Sequence, residues 1–152
     1  MVSNPAGIQL VEVDSSNWRQ VAAVMPLPDQ TEFVAPVTYY LCLAHFGGLW
    51  HSLAIVTQGS IVGHVMWAVD ESDGSVWLGG LVIDGAHQRQ GYGQAAVTAF
   101  LDRFHRNGRS DVALSYAPEN TRARALYRAL GFVETGEMEG DEIVVRFRKR
   151  PD

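Results

Sequence analysis

The residues whose chemistry is easiest to read lie at 81–96, Leu-Val-Ile-Asp-Gly-Ala-His-Gln-Arg-Gln-Gly-Tyr-Gly-Gln-Ala-Ala. A strand-like apolar run passes into a short loop, and Gly91 and Gly93 then open a helix. Glycine lets backbone approach a ligand closely. The first amides of a helix have no intrahelical partner and point out of its end. Together with the helix dipole they make an anion site, and Arg89 adds a full positive charge beside it. A pyrophosphate fits this chemistry. The same letters match Gly-x-Gly-x-x-Ala, the dinucleotide fingerprint. That motif normally opens a doubly wound fold and is followed by an acid at the end of the next strand. Here Asp111 begins the next strand instead.

A second constellation is Asn120 and Tyr127, seven residues apart in Asn-Thr-Arg-Ala-Arg-Ala-Leu-Tyr. Seven residues make about two helical turns, so both side chains leave the same face. On the residues alone, Asn120 serves equally well as a helix cap and Tyr127 as core beside Ala123 and Leu130. The five histidines, at 45, 51, 64, 87 and 105, show no close metal-ligand pairing, and no metal is expected. The single cysteine, Cys42, excludes an internal disulfide or a cysteine-rich zinc site; it reads as a small buried hydrophobe.

The elements that must position these residues follow from periodicity and punctuation. Ile8–Val13 alternates as a strand. Ser15 or Ser16 can cap a helix running to about Met25, ended by Pro26 and Pro28. A second helix covers about Val37–Phe46 and stops at Gly47-Gly48. Ser52–Thr57 and Ile61–Val69 are β-branched strands about a Gln58-Gly59-Ser60 turn, and Val76–Ile83 follows after the turn Asp70–Gly74. Gly91–Asn107 is a helix with Ala96, Phe100 and Phe104 on one face, ended by Gly108. Val112–Ser115 is a short strand. Asn120–Leu130 is a helix capped by Asn120 and stopped by Gly131. Phe132–Glu137 and Ile143–Phe147 close the chain as a hairpin. The order is β-α-α-β-β-β-α-β-α-β-β, a mixed α+β fold in which an antiparallel meander feeds one parallel βαβ unit. With 152 residues, 47% hydrophobic and 19% charged, and no linker-like stretch, residues 1–152 read as one domain.

Net charge is −5, from 12 basic and 17 acidic residues, which argues against a general nucleic-acid binder. Residues 20–88 hold no Lys or Arg but contain Asp29, Glu32, Asp70, Glu71, Asp73 and Asp84. Eleven bases sit in 89–152 against nine acids. One half could favour a cation and the other an anion, or the two could be differently solvated faces. Phe33 through Val69 carries no Asp, Glu, Lys or Arg, yet it is broken by Pro36, His45, Gly47, Gly48 and His51. It reads as a buried helix followed by strands, not as a membrane span. Met-Val-Ser-Asn-Pro has no basic region followed by an apolar run, so no signal peptide is visible and a cytoplasmic setting is expected.

The combination Gln88-x-x-Gly91-x-Gly93, then Asn120, Ala125-Leu126-Tyr127 and Gly131-Phe132, resembles the GNAT superfamily of acyl-CoA-dependent N-acetyltransferases. The resemblance extends along nearly the whole chain through the element order. More narrowly, Phe33-Val-Ala-Pro36, Leu114-Ser-Tyr-Ala-Pro-Glu-Asn120 and Glu134-Thr-Gly-Glu137 through Val144 are similar to the bacterial spermine/spermidine (diamine) acetyltransferases. The resemblance implies acetyl-CoA as co-substrate. It implies that the turn Gln88, Arg89, Gln90, Gly91, Tyr92, Gly93 and Gln94 holds the pyrophosphate, and that the strand edge Leu81, Val82 and Ile83 pairs with the pantetheine arm. It places Asn120 on the cofactor and Tyr127 beside the thioester sulfur as proton donor, with an amide near Val82 as oxyanion donor. Arg122, Arg124 and Arg128 are candidates for the nucleotide phosphates or solvated helix charges.

The acceptor implied is a small cationic amine, a polyamine or diamine, with Glu32 and Glu142 as its contacts. An alkylamine with a pKa of about 10.4 must lose a proton before attack, and the sequence does not identify the base. Two places in the chain depart from the polyamine pattern. Val37 stands where Asn is usual, and Tyr40-Leu41-Cys42-Leu43 stands where Ser-Leu-Ala-Glu is usual. Trp50, Trp67 and Trp77 read as core or dimer surface, with one of them a candidate wall of the acceptor site. An aminoglycoside, an amino acid or a protein terminus stays open as acceptor, as does a non-catalytic acyl-CoA-binding module. A homodimer is a family expectation.

Overall fold

The computed structural model describes residues 7–148. Strand β1 (Gln9–Glu12) leads to helix α1 (Trp18–Ala22) and helix α2 (Val37–Phe46). The meander β2 (His51–Thr57), β3 (Ser60–Val69) and β4 (Val76–Ile83) follows, then helix α3 (Tyr92–Arg106), strand β5 (Asp111–Tyr116) and helix α4 (Thr121–Ala129). The hairpin β6 (Val133–Glu139) and β7 (Glu142–Arg148) ends the described chain. Short 3-10 turns at Pro28–Gln30 and Gly85–His87 lie between these elements. The seven strands form one sheet in the order β1-β2-β3-β4-β5-β7-β6, with β4 and β5 the parallel pair. The helix and strand order is the one the sequence predicts.

Each face of the sheet is covered by the apolar stripe of a different pair of helices. On one side Ala96, Phe100 and Phe104 of α3 recur every fourth residue and pack with Leu53, Ile55, Val112 and Leu114, and Tyr127 of α4 joins the same cluster. On the other side Val21, Val24 and Val37 pack over Ala54 and Val82.

Helix α1 is shorter than predicted, and neither Ser15 nor Ser16 caps it. Asp14 organises its start instead. Asp14 Oδ1 accepts from the Ser16 amide and hydroxyl at 2.8 and 2.6 Å, and the Asp14 carbonyl accepts from Trp18 N–H at 3.1 Å. The helix stops before Met25 because Met25 is tied elsewhere: its N–H donates to Asp84 Oδ1 at 3.0 Å and its carbonyl accepts from Gly85 N–H at 2.7 Å. Cys42 is exposed, a correction to the buried reading, since it lies on the outward face of α2. No helix among the described residues is long and apolar enough to cross a membrane.

The feature that makes room for a site is the short β4/β5 junction. These strands pair only at Val76↔Val112 and Trp77↔Ala113. At that closed end Arg146 donates to both carboxylate oxygens of Glu137, from Nε at 2.9 Å and from Nη2 at 3.0 Å, and lies 3.3 Å from Asp111, 3.4 Å from Asp73 and over the Trp77 ring. Fork-to-carboxylate geometry of this kind is the stronger sort of ion pair. Beyond Trp77 the two strands part, and residues 78–83 face a cleft instead of a neighbour.

Candidate active site

The cleft is a cavity of about 940 Å³ walled by the free part of β4, the end of β5, the loop after β4 and helix α4. Leu81, Val82 and Ile83 line it along the strand, Gln88 and Gly93 line it at the turn, and Asn120 and Tyr127 line it from α4 and its cap. The structure thus brings together residues from both sequence motifs.

The turn owes its shape to local bonds. Gln88 Nε2 donates to the Ile83 carbonyl at 2.6 Å and to Gln30 Oε1 at 3.1 Å, bracing the loop against the end of β4. Gly91 takes φ +78° at the helix cap, a conformation that favours glycine. A Cβ there would meet nothing within 4 Å, so its backbone faces open space. The first α3 bond from the cap runs from Ala95 N–H to the Gly91 carbonyl at 3.0 Å. The amides of Tyr92, Gly93 and Gln94 therefore precede the helical ladder and remain available to an anion. Arg89, Gln90 and Gln94 are exposed beside them.

Asn120 caps α4: its Oδ1 accepts from Ala123 N–H at 3.1 Å. This leaves its amide nitrogen free to donate into the cavity. Tyr127 is buried, with ring centroids 5.5 Å from Phe132 and 6.2 Å from Tyr116. Burial pushes its pKa upward, so the phenol stays protonated and is able to donate a hydrogen bond. Arg122 is exposed at the cavity rim and Arg128 is exposed on α4, while Arg124 sits 3.5 Å from Glu134.

The opposite wall has another character. Tyr40 of α2, Trp50 and Trp77 line it, and so do Asp70, Glu71, Glu139 and Glu142. Four carboxylates thus share the cavity lining with one guanidinium, Arg122. Glu142 accepts from Ser115 Oγ at 2.8 Å, which fixes one of its oxygens. The Tyr40 hydroxyl accepts from Ala35 N–H at 2.9 Å, and burial raises its pKa, with Glu142 adding to the shift. Glu32 is exposed and does not line the cavity, although its neighbour Phe33 does. Asp70, Glu71, Glu139 and Tyr40 escaped sequence reasoning. The base-free stretch 20–88 was the one signal for the first two, and it carries no information about which acids converge.

Behind this wall lies His64 of β3, which is fully buried. Its Nδ1 is 2.8 Å from the Gly80 carbonyl and its Nε2 2.9 Å from Ser52 Oγ, and its ring stacks on Tyr40 at 5.6 Å and 5°. Among the described residues, no group of His, Cys, Asp and Glu could hold a metal ion.

The fold agrees with comparison to known proteins. Residues 13–132 match the acetyltransferase (GNAT) family, and the chain belongs to it. It is an acetyltransferase that uses acetyl-CoA. Among solved structures, the spermidine N-acetyltransferase of Vibrio cholerae in complex with CoA and spermine is 20% identical. That alignment covers 92% of this chain and 93% of that one, with a TM-score of 0.70. The ribosomal-protein-S18-alanine N-acetyltransferase of Escherichia coli is 18% identical over 93% of each chain, with a TM-score of 0.68. A ribosomal L7/L12 α-N-protein acetyltransferase in complex with coenzyme A is 16% identical over 97% of this chain and 96% of that one, with a TM-score of 0.71. At such identities these likenesses speak for the fold. No curated protein sequence matches the chain.

Proposed function

We propose that this chain transfers an acetyl group to a primary amine of a small cationic molecule, with a polyamine or diamine as the leading acceptor. The observation that carries the reading is a single cavity with two unlike walls. Gly93 at the helix opening, Asn120 and Tyr127 line one part of it, and four carboxylates with aromatic rings line another. The chain's own groups fit acetyl-CoA. The open amides of Tyr92, Gly93 and Gln94 suit its phosphates, and the unpaired edge of β4 suits an amide-bearing arm that adds to a sheet. When bound, acetyl-CoA supplies an acetyl group already activated as a thioester.

The chain's residues then have distinct tasks. Tyr127 donates a hydrogen bond towards the leaving sulfur from a pocket that keeps the phenol neutral. An amide of β4 holds the thioester carbonyl oxygen as it gains charge. Glu142, with Asp70, Glu71 and Glu139 around it, attracts a distal ammonium and holds it by a charge-assisted hydrogen bond. The attacking amine must be neutral, and nearby carboxylates favour its charged form. A base or a water chain must therefore take its proton before it attacks.

Thiol release in the presence of acetyl-CoA tests this reading with spermidine, a simple monoamine, an aminoglycoside and a peptide N-terminus in parallel. Spermidine is expected to give the highest kcat/KM. A preference for the peptide or for the monoamine would remove the polyamine assignment.

A further inference from the structure

The acetyl-transfer reading leaves a buried histidine without a task. Strand β4 is irregular opposite it. His64 pairs with Val82 and Met66 with Gly79, so Gly80 and Leu81 together face Val65 alone. This is a β-bulge, a device that re-aims backbone groups. Gly80 carries it at φ +57°, and a Cβ there would sit 3.2 Å from the His64 ring and 3.3 Å from Tyr40. The bulge would turn the Gly80 carbonyl out of the ladder, where it would be a buried acceptor in want of a donor. His64 Nδ1 supplies that donor at 2.8 Å.

The tautomer follows from the partners. A carbonyl can only accept, so Nδ1 carries the hydrogen, and Nε2 accepts from the Ser52 hydroxyl. Both ring nitrogens of a neutral imidazole are thereby used. The peptide between Gly80 and Leu81 is trans, as are all those described. In a trans peptide the N–H points opposite to the C=O. With the Gly80 carbonyl drawn towards β3 and His64, the Leu81 N–H is aimed away from β3, into the side of β4 that β5 leaves open. Leu81 lines the cavity there.

We propose that His64 is a positioning residue for acetyl transfer: by holding the Gly80 carbonyl it aims the Leu81 amide at the thioester oxygen. The sequence expectation of an oxyanion donor near Val82 thereby becomes the Leu81 N–H, and its orientation is set from the neighbouring strand. The proposal rests on the reading of this cavity as the thioester site.

Two isosteric replacements separate this role from mere packing. Asn places its amide nitrogen about where Nδ1 lies and keeps a donor for Gly80; Gln reaches only as far as Nε2 and serves Ser52. His64→Asn should keep most of the turnover and the tighter binding of acetyl-CoA than of CoA that an amide on the thioester oxygen implies. His64→Gln and His64→Leu should lower kcat by about 10²-fold, the effect of losing one oxyanion donor. They should also erase the acetyl-CoA preference in calorimetry while leaving CoA affinity unchanged. Equal turnover in the Asn and Gln variants overturns the proposal. So does a fall in CoA affinity by the same factor as kcat. If the Leu variant does not fold, the Asn and Gln pair decides alone. If the wild-type chain acetylates none of the amines, the acceptor reading fails separately, and the ratio of acetyl-CoA to CoA affinity still reports on His64.

Discussion

The two walls of the cleft are built in opposite ways. The wall of Gln88, Gly93, Asn120 and Tyr127 comes from two short stretches, each a loop feeding a helix, and its working groups are held mostly by bonds within or next to those stretches, with Gln30 bracing Gln88 from further off in the chain. The facing wall draws Tyr40 from α2, Trp50 from the entry to β2, Asp70 and Glu71 from the turn after β3, and Glu139 and Glu142 from the last hairpin. The first wall depends on backbone geometry that a few glycines and caps dictate. The second depends on the register of a seven-stranded sheet. Chemistry common to a whole family can sit on the first, whereas the second can change with any substitution that alters one contributing segment.

The sharpest way to test the first wall is Tyr127→Phe. The ring and its contacts with Phe132 and Tyr116 are conserved, and only the hydroxyl is lost. Turnover should fall by about 10²- to 10⁴-fold if proton donation is the role, with calorimetric CoA affinity little changed. The raised pKa of Tyr127 makes it a strong holder of its proton. A fall at the low end of that range would therefore point to hydrogen bonding of the sulfur in place of full proton transfer.

The second wall should be the more sensitive to acid, because His64 stands behind it. Burial lowers the pKa of His64 from 6.5 to about 4. The neutral ring is thus the form the folded chain keeps, while the unfolded chain takes up a proton near 6.5. Its contribution to stability is complete above that pH and is lost as pH falls through the folded value. The loss between these pH values is about 3 kcal/mol at 1.36 kcal/mol per unit. Denaturant melts at several pH values would show this slope in the wild type and a shallower one in His64→Asn. Parallel slopes would mean that His64 does not titrate as its surroundings require.

A substitution at the turn tests whether the first wall works through backbone amides. Gly91→Asn and Gly91→Asp both place a side chain in open space at φ +78°, where Asn and Asp are the better tolerated non-glycine residues. Only Asp adds a negative charge facing the expected phosphates. Its cost in CoA affinity should exceed that of Asn by about 2 kcal/mol, roughly 30-fold, as for like charges near a protein surface. Equal affinities would move the phosphate site elsewhere.

The same contrast explains what was legible in the sequence. The fold order and the bounds of α2 and β4 rest on local signals: apolar periodicity, a cap, a helix-opening glycine; the pairing of the glycine turn with Asn120 and Tyr127 rests on the family resemblance. Helix α1 was misread because Asp14, two residues upstream, outcompetes the serines, and because Met25 is claimed by Asp84, which lies 59 residues away in the chain. No local pattern encodes such a bond. Cys42 was misread because α2 is apolar nearly all round, so its sequence does not say which face is covered. The bulge at Gly80 has no signature beyond the pair Gly79-Gly80, and the histidine that serves it sits one strand away.

The smallest expected effect concerns the two acids first named for the acceptor. Glu142 lines the cavity with one oxygen held by Ser115, whereas Glu32 is exposed on the loop before α2 and outside the cavity lining. Glu142→Gln keeps the size of the side chain and an oxygen for Ser115 but removes the charge. A charge-assisted hydrogen bond contributes about 1.5–3 kcal/mol when well shielded. Glu142 is only half-buried, and Asp70, Glu71 and Glu139 remain as substitutes, so the low end applies and KM for spermidine should rise about tenfold. Glu32→Gln should leave that KM unchanged. The KM for acetyl-CoA should stay constant in both variants, because neither residue belongs to the wall of Gly93 and Tyr127. If Glu32→Gln raises the spermidine KM as much as Glu142→Gln does, the loop before α2 closes over the acceptor and the second wall extends further than the cavity shows. If neither variant changes it, the ammonium is held by Asp70, Glu71 or Glu139, and the corresponding amide variants would identify which.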